Sequence, residues 1–314
     1  MSRLLLGRLL GAPLLLAVLL CVSAFPASAD DYTKTKYPVV LVHGLFGFDA
    51  IGGVYEYWYG IPQALRSGGA KVHVAQVTAA NSNEVRGEEL IDQLETLQAL
   101  HGYSKFNLIG HSQGGPTARY VAAVRPDLVA SMTSVGSPHA GSKVADFIGT
   151  TLPQNSPLRP LVASFVNAFA DLIGLLSGSD NHQDSLAALK SLDSAGAARF
   201  NARYPQGKPA TACGAGAAKV NGVAYYSFGG TSNSTNMFDA SDIAMIGGGL
   251  LFGEEANDGL VGRCSSHWGQ VIRDDYDWNH LDEVNQIAGL RGVFSSSPTS
   301  VYRTQVNRLK NSGL

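Results

Sequence analysis

Residues 106–114, Phe-Asn-Leu-Ile-Gly-His-Ser-Gln-Gly, restrict what this chain can fold into more than any other stretch. An apolar run, Phe106–Ile109, enters a Gly-x-Ser-x-Gly turn at Gly110–Gly114, and Pro116–Val124 beyond it is helical in composition. A strand that bends at once into a helix needs glycines on both sides of the bend, where there is no room for side chains. The hydroxyl of Ser112 is then lifted above the sheet, with the positive end of the following helix behind it. The five-residue pattern alone occurs by chance. Its place between a buried strand and a helix is what gives it weight.

The rest of the chain supplies a sheet around that bend. Pro38–His43 is apolar on both faces, as a central parallel strand must be. Lys71–Val77 alternates and reads as a second strand, and Leu128–Val135 and Val223–Phe228 as later ones. Glu84–Leu100 carries Leu90, Ile91, Leu94 and Leu97 at helical spacing. Strands alternating with helices predict an α/β fold, a mostly parallel central sheet with helices on both faces. A hydrophobic share of 45% supplies a large core, and a net charge of −2 leaves no electrostatic footprint for nucleic acid. No repeat, charge run or proline-rich linker divides residues 30–314, so one domain is expected.

Residues 1–29 read as a signal peptide removed on export. Arg3 and Arg8 precede an apolar run, Leu9–Phe25, broken by Gly11 and Pro13, and Ala27-Ser28-Ala29 fits a cleavage site. Cys21 leaves with this leader. Cys213 and Cys264 remain, and in an oxidising compartment such a pair is normally bridged.

A serine hydroxyl needs a base to become a nucleophile. For this strand–turn–helix the order along the chain is serine, acid, histidine. Of eight histidines, His139, His182, His267 and His280 follow Ser112. His139 leaves no room for an acid-bearing strand, and His182 lies just beyond a long apolar segment. His267 and His280 are both late enough, and order does not choose between them. Asn257-Asp258-Gly259 is a sharp turn that suits Asp258 as the acid. Two backbone N–H groups must hold the oxyanion. Gln113, after the nucleophile, offers one, and Leu45 in the His43-Gly44-Leu45 loop offers the other. From Leu158 to Leu176 a wide apolar stripe recurs at helical spacing. Periodicity alone leaves it as either a core-facing helix or a lid.

At these residues the chain resembles the secreted triacylglycerol lipases of Pseudomonas and Burkholderia, on their shorter, Pseudomonas-type branch. The stretches that carry the likeness include YPVVLVHGLFGFD, NLIGHSQGGPTARYVAAVRPDLVAS, TSVGSPHAGS, ANDGLVGRCSSH and VIRDDYDWNHLDEVNQ. The resemblance implies an α/β-hydrolase fold with a helical lid over about residues 150–182, and His280 as the base, with His267 structural. It implies a Cys213–Cys264 disulfide. It also implies one structural Ca2+ ion held by the carboxylates of Asp239 and Asp282 and the carbonyls of Gln286 and Leu290, a donor set of hard oxygens. Read without it, Asp282 is a helix N-cap. The further implications are long-chain acyl esters as substrates at a lipid–water interface, secretion through the periplasm, a dedicated foldase chaperone and a monomeric state. Glu283, close to His280 in sequence, is expected to stand in partly for Asp258. The competing readings are a carboxylesterase or polyesterase on the same scaffold, and a non-catalytic binding protein.

Overall fold

The protein is described here from a computed structural model, which covers residues 30–45, 47, 50–51, 55–148, 184–239 and 241–314. The expected leader and the apolar segment at Leu158–Leu176 lie outside the described residues. In chain order the elements are β1 (Val39–Val42), β2 (Ala50–Ile51), β3 (Tyr55–Glu56), α1 (Ile61–Ser67), β4 (Val72–Val74), α2 (Asn83–His101), β5 (Phe106–His111), α3 (Gly114–Val124), β6 (Val129–Val135) and α4 (Lys143–Ile148). They continue as α5 (Ser185–Leu192), α6 (Ser194–Arg203), β7 (Lys219–Val220), β8 (Val223–Gly230), α7 (Ser241–Gly249), β9 (Gln270–Tyr276) and α8 (Pro298–Asn311).

Seven strands form one sheet in the order β4-β1-β5-β6-β8-β7, with β9 also paired to β8. Every pairing is parallel except that of the short β7. Alternation along β1 explains why its residues are apolar on both sides. Val40 and Val42 join Leu90, Leu94, Leu108 and Val121 in one core. Val39 and Leu41 join Ile61, Leu65, Tyr302 and Val306 in the other. Helices α2 and α3 thus cover one face and α1 and α8 the opposite one, the arrangement that parallel strands require.

Lys71–Val77 is shorter as a strand than its alternation suggests. After Val74 the edge is satisfied by side chains: Gln76 N–H donates to Gln93 Oε1 at 3.0 Å, and Thr78 N–H to Glu89 Oε2 at 2.6 Å. β9, by contrast, has no apolar signal. In its sequence QVIRDDY only Tyr276 is buried, and it is a strand because β8 offers it an edge. Cys213 and Cys264 are bonded, with their Cα atoms 4.5 Å apart across a separation of 51 residues.

Candidate active site

Ser112 follows the last residue of β5 and sits in the left-handed region at φ 53°. This is a strained conformation for a residue with a Cβ. The flanking glycines tolerate it. A Cβ on Gly110 would lie 2.2 Å from Gly114 O, and one on Gly114 would lie 2.0 Å from Val42 O. Ser112 N–H donates to Val135 O at 2.9 Å, which locks the bend to β6. Among the described residues Ser112 Oγ makes no hydrogen bond.

The loop after β1 reaches the same point. A Cβ on Gly44 would meet Ser112 Cβ at 2.7 Å, so this loop can touch the bend only because residue 44 is glycine. Among the described residues, no acceptor takes the N–H of Leu45 or of Gln113, the two predicted oxyanion donors. Both loops are gripped by Arg86 on α2, which the sequence reading did not single out. Its guanidinium is fully buried and donates to His43 O at 2.6 Å, Gly44 O at 3.2 Å and Gln113 Oε1 at 2.6 Å. All three acceptors are uncharged. Burial lowers its pKa only to about 10, so it stays a cation at neutral pH. Burial, with help from Arg86, drives His43 down to about 3 and keeps it neutral.

Asp258 and His280 reach the Ser112 bend through His111, whose ring lies 4.6 Å from that of His280. His280 Nδ1 lies 2.7 Å from Asp258 Oδ2, with both side chains buried. Asp258 Oδ1 accepts from Leu260 N–H at 2.9 Å and Val261 N–H at 2.7 Å, so the turn that carries the acid also aims it. The backbones are tied as well, His280 N–H donating to Asp258 O at 2.8 Å. His267 is engaged elsewhere, with Nε2 2.8 Å from Asp274 Oδ2 and Nδ1 3.1 Å from Gly214 O. Geometry therefore separates the two histidines that chain order left equivalent.

Beneath His280 lies Glu283, wholly buried, its Oε2 3.9 Å from His280 Nδ1 and 3.2 Å from His111 Nε2. Its Oε1 accepts from Gly230 N–H at 2.7 Å. Burial first and the Asp258 charge second push its pKa well above the ordinary value, so it holds its proton. His111 is the link to the other side. Burial, then His280, pull its pKa far down, so the ring is neutral. Its Nε2–H donates to His280 O at 3.0 Å, which leaves Nδ1 to accept from the Tyr57 hydroxyl at 2.5 Å. Tyr57 Oη in turn accepts from Gly44 N–H at 3.0 Å.

Of the residues named for calcium, Asp239 and Asp282 lie close enough for the charge of one to act on the other. Asp239 Oδ2 and Asp282 Oδ1 are buried carboxylate oxygens with no hydrogen-bond partner among the described residues. Burial raises the pKa of both, Asp282 to about 7, and the Asp239 charge adds to the shift at Asp282. Among the described residues nothing donates to the carbonyls of Gln286 or Leu290. Two orphaned acids that feel each other's charge are the hard-oxygen donors a calcium-type cation takes. Asn285, Ile287, Ala288 and Gly289 are all left-handed, which for the β-branched Ile287 is a genuine outlier and calls for an anchor. Asp282 is not the helix N-cap of the plain reading: it lies inside a short 3-10 turn, Asp282–Val284. A separate set, His111, His280 and Glu283, brings three ligand-type atoms within 4.8 Å. Its nitrogens suit softer ions than calcium, and His280 Nδ1 is already taken by Asp258.

Comparison with known proteins follows the same lines. A family model described as alpha/beta hydrolase fold matches residues 37–284. A triacylglycerol lipase of Vibrio cholerae is 53% identical over 293 residues, covering 93% of each chain. One from Pseudomonas fragi is 44% identical over 295 residues, covering 91% of this chain and all of that one. Among solved structures, the mature form of Bacillus licheniformis lipase BlEst2 superposes with a TM-score of 0.60 at 19% identity, covering 88% of this chain and 93% of that one, a likeness of fold.

Proposed function

Because the chain belongs to the α/β-hydrolase fold family and within it to the bacterial triacylglycerol lipases, we propose that it hydrolyses fatty-acyl esters through an acyl-enzyme on Ser112. The observation that carries this reading is the 2.7 Å contact of His280 Nδ1 with a fixed Asp258 carboxylate, on the loop tied to the Ser112 bend through His111. Neutral His280 donates Nδ1–H to Asp258, which leaves Nε2 to take the Ser112 proton as Oγ attacks the ester carbonyl. The N–H groups of Leu45 and Gln113 receive the oxyanion, and Arg86 behind them fixes their spacing. His280 then protonates the departing alcohol. A water that loses its proton to His280 adds to the acyl-enzyme, and the fatty acid leaves as Ser112 recovers its proton.

Calcium belongs to this proposal as a structural ion. Bound by Asp239, Asp282, Gln286 and Leu290, it would neutralise two buried acids and brace the turn that follows His280. We also read residues 1–29 as a cleaved leader, residues 30–314 as the mature domain with a lid over about 150–182, and the chain as secreted through the periplasm. It acts at a lipid–water interface as a monomer, after a foldase chaperone has assisted it. The Cys213–Cys264 bond supports the oxidising compartment.

The test is hydrolysis of a triacylglycerol followed across its solubility limit, with Ser112→Ala as control. A jump in rate as droplets form, abolished in the variant, is the expected result. Ordinary saturation with no jump would leave a soluble-ester hydrolase instead. An organophosphonate that fails to label folded protein at Ser112 would leave a binding protein.

A further inference from the structure

We propose that two adjacent loop tips, Met237-Phe238 and Val293-Phe294, dip into the uncharged oil surface and hold the protein on it. The inference rests on the lipase reading above and adds the place where the droplet is touched. These four side chains are 90, 76, 87 and 100% exposed. An exposed phenylalanine is unremarkable singly, whereas four large apolar side chains bared on neighbouring loops mark a contact surface.

The loops are neighbours because Asn236 Nδ2 donates to Arg291 O at 2.9 Å. Asp242 holds the first loop from below, accepting from Thr235 N–H at 2.8 Å and Asn236 N–H at 2.9 Å. The tips are therefore carried on a hydrogen-bonded base. Next to them the outer side of α7 is bare as well, with Ile243 78% exposed. The inner side of that helix presses on the acid turn, since a Cβ on Gly259 would meet Met245 Cβ at 2.7 Å. The surface is thus continuous with the element that supports Asp258.

Charge decides the occupant. From Thr231 to Gly253 the charged residues are Asp239 and Asp242, both buried, from Val284 to Tyr302 there is only the half-buried Arg291, and the exposed Asp277 sets its carboxylate beside Gly292, 3.3 Å from where a Cβ there would lie. An anionic membrane would call for exposed lysine and arginine. A stable protein partner needs a broad patch of about 800 Å² a side with a polar rim. A face that bares narrow apolar tips and no exposed lysine or arginine, with the Asp277 carboxylate at its base, disfavours an anionic membrane and matches an uncharged acyl-ester surface.

The experiment uses the full chain carrying Ser112→Ala, so that adsorption is measured without hydrolysis, and trioleoylglycerol droplets as the probe. The paired changes Val293→Ser with Phe294→Ser, or Met237→Ser with Phe238→Ser, should lower the droplet partition coefficient about tenfold or more. With Ser112 restored, the same pairs should keep the parent rate on a monomeric short-chain ester and lose rate on emulsion. Unchanged adsorption overturns the proposal. So does a parent dimer that the changes dissociate, or adsorption that rises steeply when anionic lipid is added. If the parent with Ser112 hydrolyses no emulsified triacylglycerol, the lipase reading itself fails. If it does and the variants match it, only the tips are wrong.

Discussion

Ser112, Gln113 and Leu45 stand on backbone that leaves two neighbouring strands, β5 and β1, at their carboxyl ends, whereas Asp258 and His280 stand on loops. The first group is held by close backbone contact: three glycines where a Cβ would collide, and one N–H from the bend to β6. The second is held by buried carboxyl groups. Asp242 accepts from Asn279 Nδ2 at 2.8 Å, and Asn279 Oδ1 accepts the N–H groups of Leu281 and Asp282, which wraps the chain around His280. Glu283 and Asp282 complete that side. The nucleophile side is set by shape and by a cation that hardly titrates. The base side is set by acids that do, and so its integrity depends on pH and, under the proposal above, on calcium.

The strongest way to break this contrast is to remove the acid. Asp258→Asn should lower kcat about 10⁴-fold, since the amide imposes the wrong imidazole tautomer. Asp258→Ala should be less severe, because Glu283 Oε2 already lies 3.9 Å from His280 Nδ1 and can take over part of the role once the competing charge is gone. The check is a double variant: Asp258→Ala with Glu283→Gln should fall to the level of Asp258→Asn. If Glu283→Gln adds nothing to Asp258→Ala, the second carboxyl is a bystander.

On the other side, Arg86→Met should lower kcat about 10²-fold, comparable to losing one oxyanion donor, with KM little changed. The reason is the grip on His43 O, Gly44 O and Gln113 Oε1 from one side chain. A rise in KM at constant kcat would mean that the guanidinium shapes the cleft and not the hole.

How legible each side was in the sequence follows from the same difference. The bend at Ser112 is contiguous, so its glycines, strand and helix could be read in a row, and the sheet around it followed from apolar runs. The bend at Asp258 was legible as a sharp turn, since Asn257-Asp258-Gly259 is turn-forming in composition. Choosing between His280 and His267 was not a matter of local pattern, because each histidine is defined by the carboxylate it meets, Asp258 or Asp274. Arg86 and Tyr57 were invisible for a stronger reason. Their partners lie 13 to 54 residues away along the chain, and neither residue type signals burial on its own. β9 escaped notice because its pairing with β8, not its own composition, makes it a strand.

The counter-ion can be tested through stability. In the cation-free protein Asp282 holds its proton up to about 7, against about 3.9 in an unfolded chain. The folded state then binds more protons than the unfolded one between those values, so stability falls as pH rises through that window. The loss is on the order of a few kcal/mol. With calcium bound the carboxylates are charged ligands and the part of the slope due to Asp282 should vanish, leaving the part due to Glu283. Denaturant unfolding at pH 5 and pH 8, with chelator and with calcium, reads it directly. Equal slopes under both conditions would remove the ion from the account, and Asp239→Ala should abolish the calcium effect if the site is as assigned.

The smallest expected effect lies where the two sides meet. Tyr57 accepts from Gly44 N–H and donates to His111 Nδ1, and His111 Nε2–H donates to His280 O. This chain of neutral, buried hydrogen bonds joins the oxyanion loop to the base loop. Tyr57→Phe keeps the ring and its edge contacts with Trp58 and His43, and removes only the hydroxyl. Two buried groups, Gly44 N–H and His111 Nδ1, then lose their partner, at about 1–3 kcal/mol of stability each if no water replaces it. Activity should fall less than about tenfold, because neither loop depends on this link alone: Arg86 still holds one and Asp258 the other. A stability loss with kcat nearly intact would mean that the two sides are independently built and merely tied. A kcat loss as large as that of Arg86→Met would mean that the spacing between them is set through Tyr57, and the contrast between a rigid and a titratable half would have to be redrawn as one coupled unit.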